Sequence, residues 1–395
     1  MKELIQINPI AALISISCCA GVVYLLFLPC TTLSKSGRLG CLDGLRGFLA
    51  LGVFVHHYVM YYYFFLNGRW GSGSPNSDFY WLVGPLCVNV FFAITGFLFW
   101  NKLLIGQGKI NWVSLYISRV FRIFPLYWFS VLIVVFIILI VGGISIKVPA
   151  MSLLEQISKW LFQFNIVDLN KFKGSWHVSA GVPWTLKYEW IFYFSLPVFA
   201  VIIRYLKREL VFLCLCAGGL ILSLAKPVDI HYLLISSRYF IYFIIGAVAA
   251  MFYCNDCLRE MAQKKIISFV SLGSIVVVFL FYQKMHSPWQ TLFFSMFFIP
   301  IALGNSILGL LKLPVFILLG EISYSVYLLH GIILYLFFSS FFYLFSNQTG
   351  NFLWVNAGMS LAGIIVVMVS WLTYSLIEKP CIDFGKRLSK RFFYL

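Results

Sequence analysis

Residues 41–58, CLDGLRGFLALGVFVHHY, carry an Asp and an Arg three apart (Asp43, Arg46) and, further along, two adjacent histidines, His56 and His57. A neutral imidazole can take a proton from a hydroxyl or carry an acyl group, and a guanidinium can hold an anion. The run between them is apolar, and ionisable groups in such a run are costly to bury, which makes them functional candidates. On a helix that turns roughly 100° per residue, Arg46 and His57 differ by roughly 20° in phase and by roughly 16 Å along the axis. His56 points roughly 80° away from Arg46, and Asp43 lies roughly 40° from His57. One face therefore carries Asp, Arg and His in that order. His57 reads as the working imidazole and His56 as a hydrogen-bonded packing residue. The Asp43–Arg46 pair reads either as part of a site or as an anchor at a membrane interface.

Four further stretches hold polar groups at suggestive spacings. SRVFRIFPLYW sets Arg119 and Arg122 on one helix face just before Pro125, where a span is expected to open. Paired guanidiniums suit a phosphate-bearing ligand, because each offers bidentate donors; anchoring to lipid headgroups is the other reading. PWTLKYEWIFYF places Glu189 at the outer end of a span, where it would orient an imidazole, bind acceptor hydroxyls or simply reach water. GEISYSVYLLHG aligns Ser323, Tyr327 and His330 in one stripe facing the bundle, read as helix-packing hydrogen bonds ahead of direct chemistry. SLIEKPCIDFGKRL ends the last span with Glu378, and Pro380 is expected to break the helix there.

Membrane spans must position these groups. The chain of 395 residues is 62% hydrophobic and only 11% charged, well below the quarter or so of a soluble domain. Its mean hydropathy is +0.93. Eleven apolar segments are candidate spans: 8–29, 46–66, 81–100, 125–143, 189–204, 210–225, 233–253, 266–283, 290–307, 322–345 and 353–376. Lys and Arg concentrate on one alternate set of connections, which makes that set cytoplasmic, with the N-terminus outside and the C-terminus inside. The net charge of +16 then meets anionic lipid headgroups. No zinc-finger, helix-turn-helix or RNA-binding signature accompanies it, so nucleic acid is excluded as a partner. The ten cysteines lie mostly in apolar runs, and the one CxxC, Cys254–Cys257, lacks a second pair or a nearby His, so no metal is expected. The longest polar connection, 144–188, holds Trp160, Trp176, His177 and Trp184, either an interface belt or a stacking surface for sugars.

Taken in order, LDGLRG with its Arg46-to-His57 spacing, FFAITGF, RIFPLYW, WTLKYE, ISYSVYLLH and the closing EKP resemble the acyltransferase-3 family of integral membrane O-acyltransferases. The six stretches span residues 42–380. The resemblance implies a ten-helix core that moves an acyl group, usually acetyl from acetyl-CoA, onto a hydroxyl of a surface carbohydrate. It maps the family's Arg and His onto Arg46 and His57, its donor-binding arginine pair onto Arg119 and Arg122, and its acidic residue onto Glu189. Thr95 and Thr185 stand where the family commonly has Ser, and both keep the hydroxyl.

The expected architecture is an all-α polytopic bundle of about 11 transmembrane helices. Residues 1–40 form an extra N-terminal span with a cytoplasmic linker, and residues 41–395 form the membrane acyltransferase domain. The chain stops at Leu395, so the soluble esterase-like domain that some relatives carry after the membrane part is expected to be missing. The expected location is the bacterial inner membrane. The expected reaction takes acetyl-CoA or another acyl-CoA from the cytoplasm, its phosphates near Arg119 and Arg122, to a hydroxyl of a cell-surface or lipid-linked polysaccharide. His57 serves as base or acyl carrier, Arg46 is held by Asp43, and Glu189 lies on the acceptor side. A transporter or flippase of a lipid-linked glycan is the competing class; it needs no Arg and His on one face beside an arginine pair.

Overall fold

The computed structural model describes residues 7–30, 40–68, 70–71, 78–225, 227–230, 235–281, 287–346 and 352–391. The linker expected after the first span, with Lys35 and Arg38, lies outside the described residues, as do Lys2, Arg69, Lys226 and Lys284. The elements in order are α1 (Ile10–Val22), α2 (Gly40–Asn67), α3 (Asp78–Ile105), α4 (Trp112–Val141), α5 (Ala150–Gln163), α6 (Trp184–Tyr205), α7 (Arg208–Leu224) and α8 (Phe240–Tyr253). They continue with α9 (Asp256–Ala262), α10 (Lys265–Phe281), α11 (Pro288–Ala302), α12 (Pro314–Glu321), α13 (Ser323–Ser346), α14 (Phe352–Thr373) and α15 (Lys379–Arg391). One short antiparallel ladder, β1 (Asp229–Ile230) with β2 (Ile235–Ser236), pairs Asp229 with Ser236.

An all-α membrane bundle is what the structure has, and each of the eleven expected segments falls on a helix. The count of eleven spans is not confirmed. Among the described residues, seven helices are long and apolar enough to cross a membrane, or eight if Ser237–Tyr253 and Asp256–Ala262, bent by 110°, act as one. The 17-residue α10 and the 15-residue α11 are apolar but short. At the helical rise they reach roughly 23–26 Å, less than a hydrocarbon core of about 30 Å. Arg238, expected within a span, lies in the opening turn of Ser237–Tyr253, where its Nε donates to Ser236 Oγ at 3.0 Å.

Two prolines behave differently from expectation. Pro125 does not open its helix: α4 begins at Trp112, capped by Asn111, whose side chain accepts from the Ser114 amide at 2.9 Å, and runs on through Pro125. Arg119 and Arg122 therefore sit inside a helix. A proline removes one backbone donor, and neighbouring helices in a bundle make that tolerable. Pro380 does not end the last span either. The chain widens into a π turn over Tyr374–Glu378 and resumes as α15, with Pro380 at its second position, where a missing amide costs little.

The α2 and α3 helices form the centre of the bundle. In each, 72% of the most apolar window is buried, against 33% for α1 and α6. The outer helices turn apolar stripes outward, such as Phe194, Val198 and Val201 on α6, as a lipid-facing surface requires. Around α2 pack α3, α12, α13 and α14, and α1 lies against α14. Small residues set how closely α12 approaches α2. A Cβ at Gly47 would stand 2.6 Å from the Phe316 carbonyl oxygen, and one at Gly320 would collide with the carbonyl of Asp43. Backbone thus lies on backbone beside Asp43 and Arg46. Gly320→Val is expected to cost about 1–3 kcal/mol through overpacking, with a smaller loss for Gly320→Ala. The thermal midpoint of the purified protein reads this; equal midpoints in wild type and both variants would contradict the close approach.

Candidate active site

Six helical stretches, α2, α3, α4, α6, α8 (through Tyr253) and α13, converge on one chamber of about 560 Å³. The first turns of α2 supply Asp43 and Arg46, α4 supplies Arg119 and Arg122, and α6 supplies Glu189 and Tyr193. The inward stripe of α13 adds Ser323, Tyr324 and Tyr327, and α3 adds Thr95 and Phe99. The hydroxyls Thr95 and Thr185 both line this chamber.

The charges are arranged in linked pairs. Arg46 Nη1 lies 3.9 Å from Asp43 Oδ1 one helical turn earlier, and both side chains are mostly buried. The Arg119 guanidinium stands 5.4 Å above the centre of the Phe99 ring and interacts with the Tyr193 hydroxyl. Tyr193 in turn donates to Glu189 Oε2 at 2.7 Å. Behind the lining, Glu378 is 1% exposed; its Oε2 accepts from Ser325 Oγ at 2.7 Å, and it feels the charges of Arg122 and Arg46. A buried carboxylate is costly without such partners. Three arginines against Asp43 and Glu189 leave the lining with an excess of positive charge, which favours an anionic occupant.

The histidines lie beyond this chamber on the same face of α2. His57 Nδ1 is 2.8 Å from His330 Nε2, and the two rings stand 4.9 Å apart at 29°. His330 Nδ1 donates to the Val326 carbonyl at 3.0 Å. Tyr327, a lining residue, connects the two regions: its ring is 6.1 Å from that of His330, and its hydroxyl is 3.0 Å from Thr185 Oγ1. Trp70 stands 6.3 Å from the His57 ring and packs edge-on against Trp176. His56 points elsewhere. Its Nδ1 donates to the Tyr80 carbonyl at 2.6 Å, and its ring occupies the space left by the missing side chain of Gly84. The helix phase that separated the two histidines in the sequence separates them here.

Around the far end of α2 the aromatic groups pack on one another. Trp176 stacks on His177 with ring centres 3.9 Å apart, and His177 stacks on Phe64 at 4.4 Å. Burial pushes His177 below the usual imidazole value, while the Gly174 carbonyl and Asp168 act in the opposite direction. Trp160, expected on a belt or a sugar-stacking surface, is neither: it is 1% exposed and donates from Nε1 to the Val167 carbonyl at 2.9 Å.

A family model described as an acyltransferase domain, Acyl_transf_3, matches residues 39–375. The chain belongs to the acyltransferase-3 family. It is 26% identical over 372 residues to O-acetyltransferase OatA of Staphylococcus aureus, an alignment covering 86% of this chain and 56% of that protein. It is 27% identical over 203 residues to the putative peptidoglycan O-acetyltransferase YrhL of Bacillus subtilis, covering 48% of this chain and 28% of the relative. Nodulation protein 10 of Rhizobium leguminosarum is 27% identical over 209 residues, covering 48% of this chain and 50% of the relative. The chain thus spans about half the length of the OatA proteins it matches. No solved structure matches.

Within this acyltransferase-3 chain the structure brings together Asp43, Arg46, Arg119, Arg122 and Glu189. His57 is joined to that group through His330 and Tyr327 and does not itself line the chamber. Glu189 is placed otherwise than expected. It sits among the arginines, beside Tyr193, and not at a separate outer end, because α6 already begins at Trp184 and Glu189 lies a turn inside it. The stripe of Ser323, Tyr327 and His330 makes the interhelical hydrogen bonds expected of it, with Tyr327 on Thr185 and His330 on His57, though the sequence did not name those partners. Sequence reasoning passed over Tyr193, one turn after Glu189, and gave Glu378 no partner; the signal for Glu378 was a lone acid ending an apolar run.

Proposed function

We propose that the protein is a membrane O-acyltransferase that moves an acyl group, acetyl in the first instance, from an acyl-CoA to a hydroxyl of a cell-surface or lipid-linked polysaccharide. The observation that carries this reading is the convergence of Arg46, Arg119 and Arg122 on one chamber whose wall, Tyr327, abuts the pair formed by His57 and His330. In this reading the arginine end faces the cytoplasm, as the distribution of Lys and Arg along the chain supports. The phosphates of CoA lie against Arg119 and Arg122, whose forked donors suit them. Asp43 holds Arg46, and Glu189 acts through Tyr193 to hold Arg119.

His57 is the base. It takes the proton of the acceptor hydroxyl as that oxygen attacks the thioester carbonyl; the new C–O bond forms, the C–S bond breaks, and the thiolate leaves with the proton returned by the imidazolium. The printed names of the relatives, O-acetyltransferase and peptidoglycan O-acetyltransferase, support a glycan hydroxyl as acceptor.

Membranes containing the protein, incubated with acetyl-CoA labelled in its acetyl group, test the reading. Label is expected in alkali-labile ester on polysaccharide. Movement of a lipid-linked glycan across the membrane with no label transferred would favour a flippase and contradict the enzyme.

A further inference from the structure

We propose that His330 is a positioning residue that fixes the tautomer of His57 and leaves His57 Nε2 as the nitrogen that reacts. The inference rests on the reading of His57 as base and adds the identity of the reacting atom and of the group that selects it.

A backbone carbonyl oxygen only accepts, so His330 Nδ1, 3.0 Å from the Val326 oxygen, carries a hydrogen. A neutral imidazole has a single N–H, and His330, 0% exposed, holds its other nitrogen bare. That bare Nε2 lies 2.8 Å from His57 Nδ1, so His57 Nδ1 is the donor, and the Val53 carbonyl one turn earlier, which can only accept, also bonds the His57 ring. The one hydrogen of neutral His57 is then on Nδ1, and its Nε2 presents a lone pair. The partner of one ring nitrogen thus decides the chemistry of the other.

The backing is held rigidly. The Tyr61 hydroxyl lies between two carbonyl oxygens, that of Gly331, next to His330, at 3.0 Å and the nearer one of His177. A Cβ on Gly331 would stand 2.5 Å from the Ser179 oxygen, so α13 is pressed against the turn that carries Trp176 and His177. The His56 Nδ1 competes for neither nitrogen of this pair, since it is bonded to the Tyr80 carbonyl. During transfer the acceptor O–H breaks and an Nε2–H forms on His57. The imidazolium keeps its Nδ1–H on His330 throughout and then gives the Nε2 proton to the departing thiolate. His330 begins and ends neutral.

The test compares His330→Leu, His330→Gln and His57→Ala in the full chain, with kcat and KM for acetyl-CoA measured beside thermal midpoints. His330→Leu removes the acceptor. It is expected to lower kcat roughly 10- to 100-fold, the range seen when a metal-bound imidazole loses the partner that orients it, and to leave KM unchanged. His330→Gln, whose Oε1 accepts near the position of Nε2, restores most of kcat. Equal losses in Gln and Leu, a change confined to KM, or full activity in His330→Leu would each overturn the positioning role. Full activity in His57→Ala would overturn the underlying reading instead, so the two failures are distinct. Imidazole 15N spectra of the wild-type protein, with the His57 signal assigned by its loss in His57→Ala, give a second measurement that needs no His330 variant. A protonated Nδ1 with a bare Nε2 is expected at neutral pH; the reverse pattern contradicts the inference.

Discussion

His57→Ala is expected to reduce acyl transfer by about 10²- to 10⁴-fold, the range that a positioned general base contributes, while His56→Ala leaves the activity of folded protein close to wild type. The two residues are neighbours in the chain and identical in chemistry, so the contrast isolates geometry. His57 is turned toward His330 and, through Tyr327, toward the arginine chamber. His56 is turned toward α3, with its Nδ1 on the Tyr80 carbonyl and its ring over Gly84. Losing His56 removes its bond to that carbonyl and opens a gap at Gly84, which lowers stability by about 1–3 kcal/mol without touching the reacting groups. Transfer assays normalised to folded protein, with the thermal midpoint measured alongside, separate the two effects. Activity that survives in His57→Ala and disappears in His56→Ala would reverse the assignment.

Removing an arginine from the chamber is expected to act on the donor. Arg119→Ala and Arg122→Ala should each raise KM for acetyl-CoA by about 10- to 100-fold, since hydrogen bonds to a charged group contribute roughly 1.5–3 kcal/mol and each 1.4 kcal/mol is about tenfold. The two sites differ in a second respect. Arg122 also lies near the buried Glu378, so its loss leaves that carboxylate with less balancing charge; Arg119 is tied instead to Tyr193 and Glu189. Arg122→Ala should therefore lower the thermal midpoint more than Arg119→Ala. Lysine variants sharpen the result, because lysine keeps the charge beside Glu378 and loses the bidentate fork. Arg122→Lys is expected to recover stability while KM stays raised, and free CoA should compete less well in the same proportion. A KM for acetyl-CoA unchanged in both alanine variants would end the phosphate-binding role of the pair.

Much of this was legible in the sequence, for identifiable reasons. Apolar runs of about 20 residues declare helices in a membrane, and each of the eleven runs lies largely on a helix among the described residues. The phase of a single helix is local geometry, so the shared face of Asp43, Arg46 and His57 could be read along the chain, and so could the pairing of Arg119 with Arg122. Helix ends were harder. Pro125 and Pro380 suggested boundaries that tertiary packing and a π turn override. An early start of α6 moved Glu189 into the arginine chamber. Contacts between distant segments were not legible at all. His330 meets His57 across 273 positions, and Ser325 meets Glu378 across 53. Such pairings depend on how α2, α13 and the π turn pack, and no periodicity in a single stretch records that.

The central claim is that one chain joins a donor chamber to a histidine that performs the transfer. Binding and turnover measured together on purified protein in lipid discs test it most directly, with labelled acetyl-CoA and a polysaccharide acceptor. The account predicts that His57→Ala binds acetyl-CoA as wild type does and transfers essentially no label, whereas wild type binds and transfers. Transfer by His57→Ala at the wild-type rate would contradict it.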